Sequence, residues 1–310
     1  MLEEFSTGLP ARRILIAGSS GMIGTPLTQF LRDQGHAVHT LVRREPRDGT
    51  EHQWSPELGT IDSGIINHTD VVINLSGASI GKIPWTKGHK EKILSSRIST
   101  AATLAHAISH ATTPPSLLIQ GSAVGFYGGR GDEELTESSN PGEGFLADVV
   151  QAWEGAALGA SSPKTRVCFA RTGLVVGPGG AMAPLKLQTL LGVGGRIGPG
   201  TQWWPWISLH DEVRALAYLA NYDTVQTVFN LVGPTPATAL EMTKQLAHSL
   251  KRPHWLGLPS FAIKALMGEA GEALLLASQK VRSKHLELVG FTCDDQTLEH
   301  AVRRMLGNRN

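Results

Sequence analysis

Arg13-Ile14-Leu15-Ile16-Ala17-Gly18-Ser19-Ser20-Gly21-Met22-Ile23-Gly24 joins a short apolar run to a glycine-rich turn. Such a run reads as a strand covered on both faces. The turn opens a helical pattern with Ile23, Leu27, Phe30 and Leu31 on one side, ending near Gly35, and Ala37 to Val42 follows as a second strand. A glycine triplet alone is weak, because glycine marks turns in most proteins. The strand before it, the amphipathic helix after it and the second strand beyond make it a βαβ dinucleotide-binding unit. Glycines permit the tight turn and the approach of backbone to a pyrophosphate, which rests on the helix N-terminus. Gly18, Ser19, Ser20, Gly21, Met22, Ile23 and Gly24 are therefore candidate cofactor-binding residues. Their spacing, Gly-x-x-Gly-x-x-Gly, departs from the Gly-x-Gly-x-x-Gly fingerprint.

The second strand ends on Leu41-Val42-Arg43-Arg44. An acidic residue at this place reads the ribose 2′-hydroxyl of NAD. A carboxylate repels a 2′-phosphate, whereas a guanidinium pairs with it bidentately and stacks on adenine. NADP(H) is the expected cofactor. Glu45, close by, is the residue through which NAD could still be read, and solvated charge is the plain alternative for the arginines.

Further strands are expected at Val71 to Leu75, Leu117 to Gln120, Arg166 to Ala170 and Phe229 to Val232. Glu91 to Ser109 has helical periodicity, and Trp153 to Leu158 closes another helix. Alternating strands and helices imply right-handed crossovers and an α/β, Rossmann-type, doubly wound, mostly parallel sheet. The expected organisation is a polar lead-in or linker over residues 1–11 and a Rossmann core over 12–176, completed by 205–232. A smaller, mainly helical substrate lobe from 177–204 and 233–310 is expected over the strand ends, where open α/β sheets bind ligands.

The 310 residues hold 28 Lys and Arg against 27 Asp and Glu, a formal net charge of +1. No overall field therefore recruits nucleic acid or an anionic membrane. No apolar stretch reaches the ~20 residues of a spanning helix, and Met1 to Pro10 does not resemble a secretory signal. Cys168, in an apolar run, reads as a buried inert thiol, and with Cys293 it suits a reducing, cytoplasmic address.

Together with Asn74-Leu75-Ser76-Gly77, Gly121-Ser122-Ala123-Val124-Gly125-Phe126-Tyr127-Gly128 and Arg171-Thr172-Gly173-Leu174-Val175-Val176-Gly177, the loop and Arg43 resemble the extended short-chain dehydrogenase/reductases. Ile83-Pro84-Trp85-Thr86, Ser96-Arg97-Ile98, Gln151-Ala152-Trp153-Glu154, Pro205-Trp206-Ile207 and Asn230-Leu231-Val232-Gly233-Pro234 narrow this further. They resemble the divergent "epimerase family" subgroup, also labelled NAD-dependent epimerase/dehydratase or cell-division-inhibitor-like. The resemblance runs from about Arg12 to about Leu306. It implies that Gly18 through Gly24 hold the pyrophosphate and that Val42 and Arg43 flank the adenosine ribose phosphate. Leu75 and Ser76 would line the adenine-to-ribose path, Arg97 would reach in from the long helix, and Val175 would meet the nicotinamide side through its backbone. Leu75 and Val175 read equally well as core. A small-molecule substrate is implied too, and a homodimer paired through helices Glu91–Ser109 and Asp148–Leu158.

The superfamily's general acid is a Tyr-x-x-x-Lys pair, in which the ammonium lowers the phenol's pKa. Its two positions fall on Leu146 and Val150, and none of Tyr127, Tyr218 and Tyr222 has a lysine four residues on. Ser122 and Tyr127 are the remaining candidate catalytic donors, following the strand that should end beside the nicotinamide. Their plain alternative is a serine satisfying backbone and a tyrosine packed in a turn. Trp203, Trp204 and Trp206 read as pocket lining or as core. Asp132, Glu133, Glu134 and Glu137 read as a solvated acidic loop. His106 and His110 have metal-compatible spacing but no third ligand, so no metal site is expected. The expected function is an NADP(H)-dependent oxidoreductase acting on a small substrate. A nucleotide-sugar epimerase or dehydratase and a non-catalytic NADP(H) sensor are the alternatives.

Overall fold

A computed structural model of the chain describes residues 10–307, so most of the expected lead-in lies outside the described residues. The main sheet has eight strands: β1 (Arg13–Ala17), β2 (Ala37–Val42), β3 (Glu51–Ser55), β4 (Thr60–Ile61), β5 (Val71–Asn74), β6 (Leu117–Ala123), β7 (Arg166–Thr172) and β8 (Val228–Leu231). Their order is β8-β7-β6-β5-β1-β2-β3-β4. Every pairing is parallel except that of the edge strand β4 with β3. The chain leaves β1 toward one edge and returns through β5 toward the other. The crevice at this reversal is where a doubly wound sheet takes its ligand.

Both faces are covered by helices, and the period-two alternation of each strand decides which residue goes where. Ile14 and Ile16 of β1 pack with Leu27 and Leu31 of α1 (Gly24–Asp33). Leu15 and Ala17 pack on the opposite face with Leu104 and Ile108 of α2 (Lys87–Ser109) and Trp153 of α3 (Phe145–Ala157). Helix α4 (Leu209–Asn221) adds Val213 and Leu216 to the α1 face. Each fully buried Leu or Ile contributes about 1.5–3 kcal/mol, so the continuous apolar runs are the main stabilising element. Helix α2 starts one turn before the expected Glu91, because the Thr86 hydroxyl accepts the His89 N–H at 3.2 Å and caps it.

The C-terminal lobe gathers helices Met182–Leu190, Ala239–Ser249, Ser260–Met267 and Leu298–Met305. Its core includes Trp204, Trp206, Met242, Leu246, Ile263 and Val302. Trp204 and Trp206 are thus core residues, whereas the half-buried Trp203 donates its indole N–H to Asp132 at 2.8 Å. The acidic run is not uniformly solvated. Glu137 is buried and accepts the backbone N–H groups of Asn230, Lys284 and His285. His106 and His110 stand on the exposed side of α2. No helix among the described residues is long and apolar enough to cross a membrane.

Candidate functional site

The loop between β1 and α1 is closed by its own glycines. Gly18 has φ +85°, and a Cβ there would lie 2.8 Å from the backbone of Leu75, at the end of β5. A Cβ on Gly24 would lie 2.2 Å from the Gly18 carbonyl oxygen, so nothing larger fits without moving the loop. The Gly21 N–H donates to the Gly18 carbonyl at 3.0 Å, and the Thr25 hydroxyl donates to the Ser19 carbonyl at 3.1 Å. Helix α1 has no side-chain cap and no acid in its first turn. Its N-terminus, with Met22 and Ile23 leading into it, therefore keeps its positive end for an anion.

At the end of β2 the two arginines divide. Arg44 clamps both carboxylate oxygens of Glu51 at 2.6 Å, and this hydrogen bonding holds the Glu51 carboxyl down at about 2. Arg43 is exposed beside the half-buried Val42 and forms no ion pair with a described residue. Glu45 is exposed too, and Arg44 touches it only through the backbone carbonyl. Of the two arginines, Arg43 is the one whose guanidinium is not held by a carboxylate of a described residue.

Past β5, Leu75 is tied to β1 through its N–H, which donates to the Ala17 carbonyl at 2.8 Å. The Ser76 N–H donates to the Asn74 side chain at 3.1 Å, which in turn donates to Gln120 at 3.0 Å. Arg97 lies under this segment. Its Nη1 donates to the carbonyls of Ala78 and Ile93 at 3.0 and 3.1 Å, and its guanidinium sits 5.1 Å over the Trp153 ring. Burial pulls its pKa down to about 10, and no carboxylate among the described residues pairs with it. A cation removed from water without a counterion is unfavourable until an anion arrives. A glycine cradle, an uncapped helix end, Arg43 and Arg97 together suit a phosphate-rich dinucleotide. Val175 is buried in the core beneath the α1 face, its strand Leu174–Val176 paired with Trp206–Ser208.

Ser122 and Tyr127 are brought together through Glu154 and Arg171. The Ser122 hydroxyl, nearly buried at the end of β6, donates to Glu154 at 2.6 Å. Arg171 clamps the same carboxylate with Nε at 2.8 Å and Nη2 at 2.9 Å, and its Nη1 reaches the Tyr127 hydroxyl at 3.1 Å. The Tyr127 hydroxyl donates to the Asn230 side chain at 2.7 Å. Tyr127 is 0% exposed, and burial is the main reason its pKa rises. The Tyr127 hydroxyl is thus enclosed, with Asn230 and Arg171 as its partners. Leu146 and Val150 pack toward Gly125, which puts hydrocarbon where the superfamily keeps tyrosine and lysine.

Glu154, Arg171 and Asn230 are absent from the expected site although each lies in a quoted motif. Only the fold shows that they join. Glu212, also unforeseen, is fully buried in the first turn of α4. One oxygen accepts the Thr172 hydroxyl at 2.7 Å, the other has no partner among the described residues, and burial pushes its pKa up to about 8. Among the described residues, His210, Asp211 and Asp294 form the one metal-like cluster. Arg214, 2.7 Å from Asp211 and 3.1 Å from Asp294, already supplies the positive charge there.

The family model described as "NAD dependent epimerase/dehydratase family" matches residues 14–233, and a domain of unknown function, DUF1731, matches residues 258–305. The chain is 39% identical over 290 residues to the epimerase family protein ML0860 of Mycobacterium leprae, covering 93% of this chain and 94% of that protein. The crystal structure of human epimerase family protein SDR39U1 (isoform 2) with NADPH superposes with a TM-score of 0.88 at 32% identity, covering 96% and 100% of the two chains. UDP-glucuronic acid 4-epimerase from Bacillus cereus shares the fold, with a TM-score of 0.73 at 17% identity over 96% and 98% of the chains.

Proposed function

The chain belongs to the NAD dependent epimerase/dehydratase family, and from that premise we propose that it is an NADP(H)-binding oxidoreductase of the extended short-chain type, acting on a small substrate. The observation that carries this reading is the split of the two strand-end arginines, with Arg44 spent on Glu51 and Arg43 left exposed. The human relative was crystallised with NADPH, which agrees with it. When bound, the nicotinamide supplies hydride exchange with a substrate carbon.

In this reading the residues from Gly18 to Gly24 and the α1 N-terminus hold the pyrophosphate, Val42 and Arg43 take the adenosine ribose phosphate, and Leu75, Ser76, Arg97 and Val175 line the remaining path. Ser122 is the donor candidate at the end of β6. In the structure its single proton is donated to Glu154, so it serves a ligand by turning that proton toward it or by accepting from it. Tyr127 acts on that arrangement through Arg171. The buried Cys168 thiol, pushed up to about 12, is inert, and a cytoplasmic address is part of this reading.

A second reading, a non-catalytic NADP(H) sensor, is favoured by the enclosed Tyr127 and the apolar Leu146 and Val150. Single-turnover oxidation of bound NADPH by a panel of carbonyl compounds separates the two. The enzyme reading expects at least one carbonyl to oxidise NADPH. It also expects Ser122→Ala/Tyr127→Phe to slow that step by about tenfold or more, within the range of positioned acid catalysis. Absence of oxidation across the panel, with NADPH still bound, would select the sensor.

A further inference from the structure

The net charge of +1 conceals a strongly uneven distribution. Residues 178–210 and 242–268 hold six Lys and Arg and no Asp or Glu. These two stretches meet in the lobe. The Trp255 and Leu256 N–H groups donate to the Gly194 carbonyl at 3.1 and 3.3 Å, and the Leu258 N–H donates to Arg196 at 2.8 Å. Where they meet, large apolar side chains face outward: Trp255 is 70% exposed, Leu191 70%, Phe261 75% and Leu266 74%, with Leu187 and Leu256 also exposed. The Trp255 indole N–H is spent inside, on the Gly192 carbonyl at 2.9 Å. Helix Ser260–Met267 carries Phe261, Ala262, Ile263, Ala265, Leu266 and Met267, yet only Ile263 is buried. A helix apolar on nearly every side is normally covered, and isolated soluble surfaces seldom show so many large apolar groups together.

The charge decides what covers it. The exposed Arg196, Lys251 and Arg252 border the apolar residues, with Lys186 on helix Met182–Leu190, and the two acids just past helix Ser260–Met267, Glu269 and Glu272, are each paired with a lysine, Lys90 and Lys264. A twofold contact between copies of this chain would set this one-sign rim against itself. An anionic partner would not. The apolar residues come from three separate segments and present protruding side chains, bulky Trp and Phe among Leu, bordered by Lys and Arg. That is the composition of a face that lies in a lipid interface without spanning it.

We propose that this lobe face is a docking surface for an anionic lipid bilayer, bound peripherally by Trp255, Phe261 and Leu266 with Arg196 and Arg252 on the headgroups.

The test is flotation of the full chain with vesicles of phosphatidylcholine alone and of phosphatidylcholine with one third phosphatidylglycerol. Binding to the anionic vesicles should exceed that to neutral ones at least tenfold and weaken in high salt. Each basic residue near the surface is worth roughly fivefold in partitioning, so Arg196→Gln/Arg252→Gln should lower anionic binding by an order of magnitude or more. Trp255→Ser/Phe261→Ser should abolish it while the melting temperature and NADPH affinity stay unchanged. Absence of flotation with anionic vesicles, or equal flotation of wild type and both double variants, overturns the proposal. So does a wild-type dimer in sedimentation velocity that Trp255→Ser/Phe261→Ser converts to monomer, since a second copy is then the occupant. Specific retention of an acidic protein by wild type, without vesicle binding, overturns it as well.

Discussion

Glu212 is a carboxyl that the fold holds in its proton-bound form. Its folded pKa, about 8, lies above the ordinary carboxylate value because burial penalises the charge, and the one hydrogen bond from Thr172 offsets only part of that. Between the ordinary value and about 8 the folded state therefore binds one more proton than the unfolded state. Stability is greatest below that interval and falls as pH rises through it, by at most about 1.4 kcal/mol per pH unit. Urea unfolding at several pH values should show this decline, and Glu212→Gln should flatten it and be the more stable protein above pH ~8. A wild-type stability that rises across the same interval, unchanged by the substitution, would contradict the assignment. The Glu154–Arg171 pair is different in kind. Its carboxylate accepts three hydrogen bonds, from Ser122 and twice from Arg171, so its charge is matched where it lies.

At the scale of elements, the parts legible in the sequence are those whose side chains are sorted by burial alone. β1, β5, β6 and β7 each contain an apolar run of three or four residues, and α1 carries its apolar stripe at helical spacing. β3 is not legible in this way, because Glu-His-Gln-Trp-Ser buries only Trp54 and lies near the sheet edge. In the site, the glycine loop and Arg43 can be read locally, since each depends on neighbours within one βαβ unit. The Tyr127–Asn230 bond joins residues 103 apart, and no local pattern announces it. The loop itself gives a sharp test. Gly24→Ala would place a Cβ 2.2 Å from the Gly18 carbonyl, so the β1–α1 turn must shift. NADPH affinity should fall about tenfold or more, the equivalent of ~1.4 kcal/mol, with the far-ultraviolet circular dichroism spectrum retained. Unaltered affinity would mean that the loop does not hold the pyrophosphate.

For the whole molecule, the outer faces of α2 and α3 bear on assembly. Ser95, Ala102, His106 and Ser109 are exposed along α2, and Gln151, Ala152 and Gly155 along α3, with Leu158 just beyond it. Small residues on both helices allow a second copy to approach closely, in line with the homodimer implied by the family resemblance. Light scattering at micromolar concentration should give a dimer, and Ala102→Arg/Ala152→Arg should return it to monomer. A monomeric wild type would remove the homodimer.

The central question is whether the end of β2, beside β1, reads the 2′-phosphate through Arg43. Isothermal calorimetry with NADPH and NADH on wild type and Arg43→Ala answers it directly. A charge-assisted contact contributes ~1.5–3 kcal/mol, so wild type should prefer NADPH by roughly ten- to a hundredfold. Arg43→Ala should lose most of that preference through weaker NADPH binding, with NADH affinity nearly unchanged. Equal affinities in wild type, or a preference that survives Arg43→Ala intact, would contradict the account.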